Sequence, residues 1–270
     1  MSETVTTVRL VGLPTDSHSS FLRGAAAAPA EIRAALHSDH GNMATELGLE
    51  IGRELALDDA GDLPLEESER DFDLIREAAS KAARDGTAPI LLGGDHMVTY
   101  PIVSGLAAVH GPLSILHFDA HPDLYDDFGG DRLSHASPFA RVMEEGLARR
   151  LVQVGIRTLN GHCREQAERF AVEIVEMRNF DSELVPIPDA PLYVSIDLDA
   201  LDPAFAPGVS HHEPGGLSVR ELIAVLHRID APIVGADVVE YNPSRDVNGT
   251  TAVVAAKLVK ELAALASLRG

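Results

Sequence analysis

Three short stretches of this chain bring carboxylates and imidazoles close together, two of them at alternating positions. "FDAHPD" carries Asp119, His121 and Asp123, "SIDLDALDP" carries Asp197 and Asp199, and "LLGGDHMV" delivers Asp95 and His96 after Gly93 and Gly94. A fourth, "ADVVEYNP", ends in Asp237 and Glu240. In extended chain, residues i, i+2 and i+4 face one side, so the side chains of one stretch can converge on a point. Four aspartates and two histidines in one partly buried cluster cannot all keep their charges without compensation. Two divalent cations offset the four aspartates, so the spacing predicts a metal centre ligated by His96, Asp119, His121, Asp123, Asp197 and Asp199. Hard carboxylates with two imidazoles suit Mn²⁺ first, with Fe²⁺, Co²⁺ or Zn²⁺ as alternatives, whereas Mg²⁺ seldom takes imidazole. Two such ions about 3.5–4 Å apart acidify a shared water, which makes the reaction class hydrolysis.

Not every such residue reads as a ligand. An aspartate after a strand is commonly a turn or cap residue, and Asp202, before Pro203, is read so. His117, inside the strand, is read as a core or supporting histidine.

Strands must carry these stretches to a common edge. Apolar runs at Val8–Leu13, Pro89–Leu92, Leu113–Phe118, Leu151–Ile156, Val172–Val175, Leu192–Ile196 and Ile233–Val239 are the strand candidates. Between them "EESERDFDLIREAASKAARDG" and "CREQAERF" have helical spacing, and "TTAVVAAKLVKELAALASL" closes the chain as a long helix. "GAAAAPAEIRAAL" reads as a loop entering a helix, with Pro29 in the first turn. Continuous apolar strands alternating with helices predict an α/β fold, a three-layer αβα arrangement around a mostly parallel sheet. In such sheets ligands bind beyond the carboxyl ends of the strands, where all four polar stretches fall. No repeat or linker divides residues 1–270, so one domain is expected.

Composition narrows the partners. Hydrophobic residues make up 45% and charged residues 24% of 270, enough for a sizeable core. A net charge of −20 repels nucleic acid and anionic membranes and favours a cationic substrate, although acidity is also an ordinary solubility feature. Cys163 is the only cysteine, so no intrachain disulfide forms. It sits in "NGHCREQ", a loop entering a helix, where a lone cysteine is structural and thiol catalysis with His162 is disfavoured. The opening "MSETVTTVRLVGLP" lacks a basic segment followed by a long apolar run, and no stretch reaches a membrane span. A cytoplasmic protein is the resulting expectation.

The motifs "GGDH" (93–96), "DAHPD" (119–123), "SHAS" (134–137), "SIDLDALDPAFAPG" (195–208) and "DVVEYNP" (237–243) resemble those of the ureohydrolases, the family of arginase, agmatinase and other guanidino-acid hydrolases. The similarity spans almost the whole chain, and "DAHPDLYDDF", "SHASPFARVMEEG" and "APGVSHHEPGGLS" look most like the arginases of plants. The resemblance implies an arginase-like fold, two manganese ions per chain, and a small cationic guanidino substrate hydrolysed to urea and an amine. One ion would be held by His96, Asp119, Asp123 and Asp197, and the other by His121, Asp119, Asp197 and Asp199. His135 matches the family's proton-shuttling histidine and Glu240 its guanidinium-binding carboxylate, and with Asp123 they form the candidate catalytic set. A planar, permanently charged guanidinium suits bidentate pairing with Glu240, and a histidine titrating near neutrality suits protonation of the leaving amine. The family also implies a homotrimer or homohexamer.

Departures from the animal arginases concern the substrate's far end. The loop after Asp123 reads "LYDDFGGDRL", Asn160 stands where an aspartate is usual, and His211 replaces a threonine. Asn160 and His211 are therefore candidate substrate-binding residues, with Asp126, Asp127, Asp131 and Arg132 as further rim groups. L-arginine is the first substrate expected, agmatine the second, and other guanidino acids follow. Two other readings are a Mg²⁺-dependent phosphatase using Asp197 and Asp199, and a non-enzymatic, fold-retaining metal-binding protein. The first lacks a phosphate-cradling glycine-lysine loop, and the second would show a lost ligand, of which there is none.

Overall fold

The run "LSILHF" is buried at every position and forms a central strand, β4 (Leu113–Phe118). Its neighbours in the computed structural model, which describes residues 6–269, extend it into one eight-stranded sheet. The opening Met1–Val5, read above for a leader, and Gly270 lie outside the described residues. The other strands are β1 (Thr6–Gly12), β2 (Leu55–Asp62), β3 (Pro89–Leu92), β5 (Ala148–Ile156), β6 (Glu173–Glu176), β7 (Leu192–Asp197) and β8 (Ile233–Val239). Their order across the sheet is β2-β1-β3-β8-β7-β4-β5-β6, and every pairing is parallel. The sheet is thus wholly rather than mostly parallel, and helices on both faces complete the expected αβα architecture.

Strand alternation sends side chains to two apolar layers. Val8, Leu10, Ile90, Leu92, Leu116, Phe118, Val194 and Ile196 face one layer, which also takes residues of α1 (Ala28–Leu36), α6 (Val219–Leu226) and α7 (Thr250–Arg269). Val11, Leu91, Ile115 and Tyr193 face the other, against α2 (Arg70–Arg84), α3 (Thr99–His110), α4 (Pro138–Glu144) and Ala167 of α5 (Gly161–Phe170). Crossover helices on both faces are what a parallel sheet requires to cover its apolar strands.

β2 escaped the sequence reading because "LALDDAGD" is mostly exposed and acidic. It lies on the sheet's edge, where only β1 must be paired, and its carboxylates meet arginines instead of core: Asp58 pairs with Arg9 at 3.0 Å, and Asp59 and Asp62 with Arg33 at 2.8 and 2.5 Å. Exposed pairs of this kind contribute only about 0.2–1 kcal/mol each, so the strand depends on its ladder with β1.

Four neighbouring strands, β3, β8, β7 and β4, occupy the middle of the sheet. The stretches "GGDH", "DVVE", "DLDA" and "DAHPD" leave from their carboxyl ends, one beside the next.

Candidate metal centre and substrate cavity

His96 opens a single helical turn after β3 and is fully buried. Its Nδ1 lies 3.2 Å from Asp119 Oδ2, 3.1 Å from Asp123 Oδ2 and 3.2 Å from Asp197 Oδ2, yet it is hydrogen-bonded to none of them. The other nitrogen explains why. Ser195 Oγ donates to Asp237 Oδ1 at 2.7 Å, which leaves its lone pairs to accept from His96 Nε2 at 3.0 Å. With the ring proton on Nε2, Nδ1 presents a bare lone pair among carboxylate oxygens. That is the arrangement of a metal-ligating imidazole, its second nitrogen fixed by an outer partner.

A second group gathers around the same aspartate. His121 Nδ1 is 3.3 Å from Asp119 Oδ1 and 3.1 Å from Asp199 Oδ2, so ligand atoms of Asp119, His121 and Asp199 lie close enough to share an ion. A further group of this kind joins His96 and Asp119 to His117. His117 Nε2 is 2.9 Å from Asp119 Oδ2, and Gln153 Nε2 donates to its Nδ1 at 3.0 Å. Its Nε2 hydrogen thus points to Asp119, giving His117 an orienting part beside the cluster. The signal was present in the sequence, since His117 lies two positions before Asp119 on the same strand face.

The charges in this cluster conflict. Burial and the neighbouring carboxylates of Asp199 and Asp119 push Asp197 well above the usual carboxylate range, and burial also raises Asp199. Burial opposes a charge on Asp119 too, but the imidazoles of His117, His121 and His96 hold it well below that range. Burial likewise opposes a charge on His96, and the surrounding carboxylates on their own outweigh it and raise its pKa, so at Nδ1 a proton and a metal ion compete for one lone pair. Divalent cations relieve all of these at once, so the donor set fits a metal site.

Backbone strain helps aim two of the side chains. Asp123 and Glu240 adopt φ of 49° and 63°, a left-handed conformation that non-glycine residues hold only where their surroundings dictate it. Glu240 Oε1 accepts from His96 N at 2.9 Å and pairs with His135 Nδ1 at 2.8 Å. Oε1 is thereby committed, so the oxygen left for a guanidinium is Oε2, not the two-oxygen grip expected from sequence.

Of these groups, His121, Asp123, Asp197, Asp199, His135 and Glu240 line a cavity of about 230 Å³, together with Ser20, Tyr125, Phe128, Thr158, Cys163, His211 and Glu213. His135 is buried beside Glu240, and His211 lies tilted against His135 and edge-on to His121, with ring centres 5.3 and 5.9 Å away. Asn160 is not brought to the wall. Its Oδ1 caps α5 by accepting from Cys163 N at 2.9 Å, while its Nδ2 donates to Tyr125 OH at 2.5 Å, so it acts on the cavity only through Tyr125. The other rim candidates are also engaged elsewhere: Arg132 pairs with Asp126 and Glu144, Asp127 accepts from Gly130 N and Asp131 from Leu133 N. Asp202 is a turn residue as read, accepting from Ala204 N and Gly215 N. Cys163 is buried, and burial raises its thiol to about 11, which suits a structural role.

Tyr125 and Phe128 belong to the "YDDFGGDR" loop expected at the rim, whereas Ser20, Thr158 and Glu213 escaped the sequence reading because they come from loops whose spacing carries no pattern.

An eight-stranded parallel sheet with a carboxylate–imidazole cluster at its central strand ends defines a class of metal-site proteins, and the family model described as the arginase family matches residues 6–264. This chain belongs to the arginase family. It is 50% identical over 272 residues to Arginase 1, mitochondrial, of Arabidopsis thaliana, covering 94% of this chain and 80% of that one. The solved structure of arginase from Medicago truncatula superposes with a TM-score of 0.94 at 46% identity, covering 98% of this chain and 89% of that one. More distant is the human guanidino acid hydrolase, mitochondrial, at 36% identity over 93% of this chain and 76% of that one.

These relatives overturn one expectation. The arginases of Arabidopsis, of Oryza sativa subsp. indica and of Medicago are named mitochondrial, which points to mitochondria and not to the cytoplasm. Compartment addresses are segments read by receptors and not by the fold, so composition and a lone cysteine could not carry the cytoplasmic reading.

Proposed function

We propose that this protein is a binuclear manganese hydrolase that converts L-arginine to L-ornithine and urea. The observation that carries the reading is the bare Nδ1 of His96 among three aspartate oxygens, two of which belong to Asp123 and Asp197, residues that line the cavity with Glu240. The choice of arginine is supported by the 50% identity to a plant arginase.

His96, Asp119, Asp123 and Asp197 would hold one ion, and His121, Asp119, Asp197 and Asp199 the other. When bound, the two ions supply an acidified water as nucleophile at neutral pH. Mn²⁺ fits the donors best, with Fe²⁺, Co²⁺ and Zn²⁺ as alternatives. Glu240 binds the guanidinium by a charge-assisted hydrogen bond through Oε2 and fixes the orientation of its carbon. His135 keeps its Nδ1 hydrogen on Glu240 and holds the transferable proton on Nε2 for the leaving amine. His211, whose pKa burial lowers, stays neutral and bounds the pocket beside both rings.

Agmatine is the second reading, favoured by the carboxylate of Glu213 on the cavity wall, which suits a cationic tail. Urea release from a panel of guanidino substrates by Mn²⁺-loaded protein decides between them. The expected result is a kcat/KM for L-arginine at least about tenfold above that for agmatine, roughly 1.4 kcal/mol of discrimination. Agmatine ahead would overturn arginine while leaving the hydrolase intact, and phosphate-ester cleavage without urea would replace the reaction class. A single functional domain, from the lack of a dividing repeat or linker, and assembly into a homotrimer or homohexamer, from the family resemblance, complete the reading.

A further inference from the structure

We infer that Ser20 is a positioning residue for the reaction, holding the His135 imidazole through Nε2 in both of its protonation states. The inference rests on the reading of His135 as the proton-delivering group.

Ser20 Oγ lies 2.8 Å from His135 Nε2, while Nδ1 of the same ring lies 2.8 Å from Glu240 Oε1. The imidazole is therefore gripped at both nitrogens. Glu240 Oε1 already accepts from His96 N at 2.9 Å, so toward the ring it acts as an acceptor and the Nδ1 hydrogen stays with His135. Nε2 must then gain and lose the proton. A carboxylate facing Nε2 would stabilise only the protonated ring, and an amide N–H only the neutral one. A hydroxyl does both, donating to bare Nε2 and accepting from Nε2–H, so the ring can change state without losing its orientation.

The rest of the loop keeps Ser20 in place. Asp16 accepts from Gly24 N at 2.6 Å and Ala26 N at 3.2 Å, and pairs with Arg23 at 2.6 Å, closing residues 16–26 on themselves. His18 donates its N–H to Asp95 Oδ2 at 2.8 Å and accepts from His135 N at 3.1 Å, tying the loop to the segment that carries the histidine. Ser210 Oγ donates to Leu22 O at 2.7 Å, and Asn242 Nδ2 to Arg23 O at 3.3 Å. Those two residues adjoin His211 and sit two positions beyond Glu240. The segment is pinned to each loop it faces, so Ser20 is presented at a fixed point between the buried imidazole and solvent.

The test compares Ser20→Ala, Ser20→Thr, His135→Asn and the double variant Ser20→Ala/His135→Asn, all Mn²⁺-loaded, with L-arginine as substrate. Ser20→Ala should lower kcat about tenfold, the loss expected for one hydrogen bond to a charged group, with KM within about threefold. Ser20→Thr, which keeps the hydroxyl, should recover most of the rate. The double variant should be no slower than His135→Asn, because Ser20 acts only through that ring. Nitrogen-15 NMR of His135 should show the Nε2 resonance shifted in Ser20→Ala and restored in Ser20→Thr. A Ser20→Ala kcat within twofold of the parent, equal losses in Ala and Thr, or additive losses in the double variant would each overturn the inference. A His135→Asn rate equal to the parent would instead remove the reading of His135 on which it rests.

Discussion

Asp119 and Asp197, from neighbouring strands β4 and β7, each bring an oxygen to 3.2 Å from the same nitrogen of His96. Shared ligands of this kind couple the two proposed ions. Asp197→Ala should therefore reduce bound metal from two ions per chain to fewer than one and abolish urea release. Elemental analysis after desalting checks this, and two tightly retained ions would refute the bridging assignment.

Supporting residues behind His96 should matter nearly as much. Ser195→Ala removes the acceptor that keeps the ring proton on Nε2 and leaves the Oδ1 of buried Asp237 short of a partner. Loss of such an outer partner typically weakens metal binding about 10–100-fold. Competition with a chelator measures it, and an unchanged affinity would show that Nδ1 needs no such orientation.

Proton delivery has a pH signature. Burial alone would lower the pKa of His135, but the charge and hydrogen bond of Glu240 raise it to about 9. As an acid, His135 then stays protonated through neutrality, and kcat should fall on an alkaline limb near pH 9. Because the folded value exceeds the ordinary one, the pairing stabilises the fold at low and neutral pH and that contribution fades as pH rises through 9. His135→Asn should slow turnover by roughly 10²–10⁴ and abolish the limb while retaining both metals. A parent-like pH profile in that variant would exclude it.

Asn160 offers a contrast between binding and bracing. Its amide caps α5 and holds Tyr125, so Asn160→Ala should destabilise the protein by about 1 kcal/mol and raise KM modestly with little change in kcat. Denaturant titration with steady-state kinetics checks both. A collapse of kcat with unaltered stability would mean that the amide contacts the substrate directly.

Much of this was legible in the sequence because two periods did the work. Apolar runs located seven strands, missing only β2, whose edge position lets carboxylates stand where a central strand needs apolar side chains. Alternation at the strand ends marked the residues that the structure gathers around His96 and His121. What stayed hidden depends on backbone direction instead of spacing. The place of Asn160 after "GIR" suggests a substrate contact, but the start of its helix takes the amide as a cap. Ser20 and Glu213 reach the cavity from loops more than 190 positions apart, which no local pattern joins.

The acidic edge strand has a consequence for how copies of this chain meet. An open parallel sheet exposes a row of unpaired backbone groups at each border, a template for adding further strands. At one border β2 offers Asp58, Asp59 and Asp62, and at the other β6 ends in Glu173 and Glu176. Either border approaching its like brings carboxylates against carboxylates, and their arginine partners belong to the same chain, with Arg9 and Arg33 on one side and Arg150 on the other. The sheet is thereby guarded against open-ended stacking into fibres, and that protection should weaken in acid, where the carboxylates lose their charge.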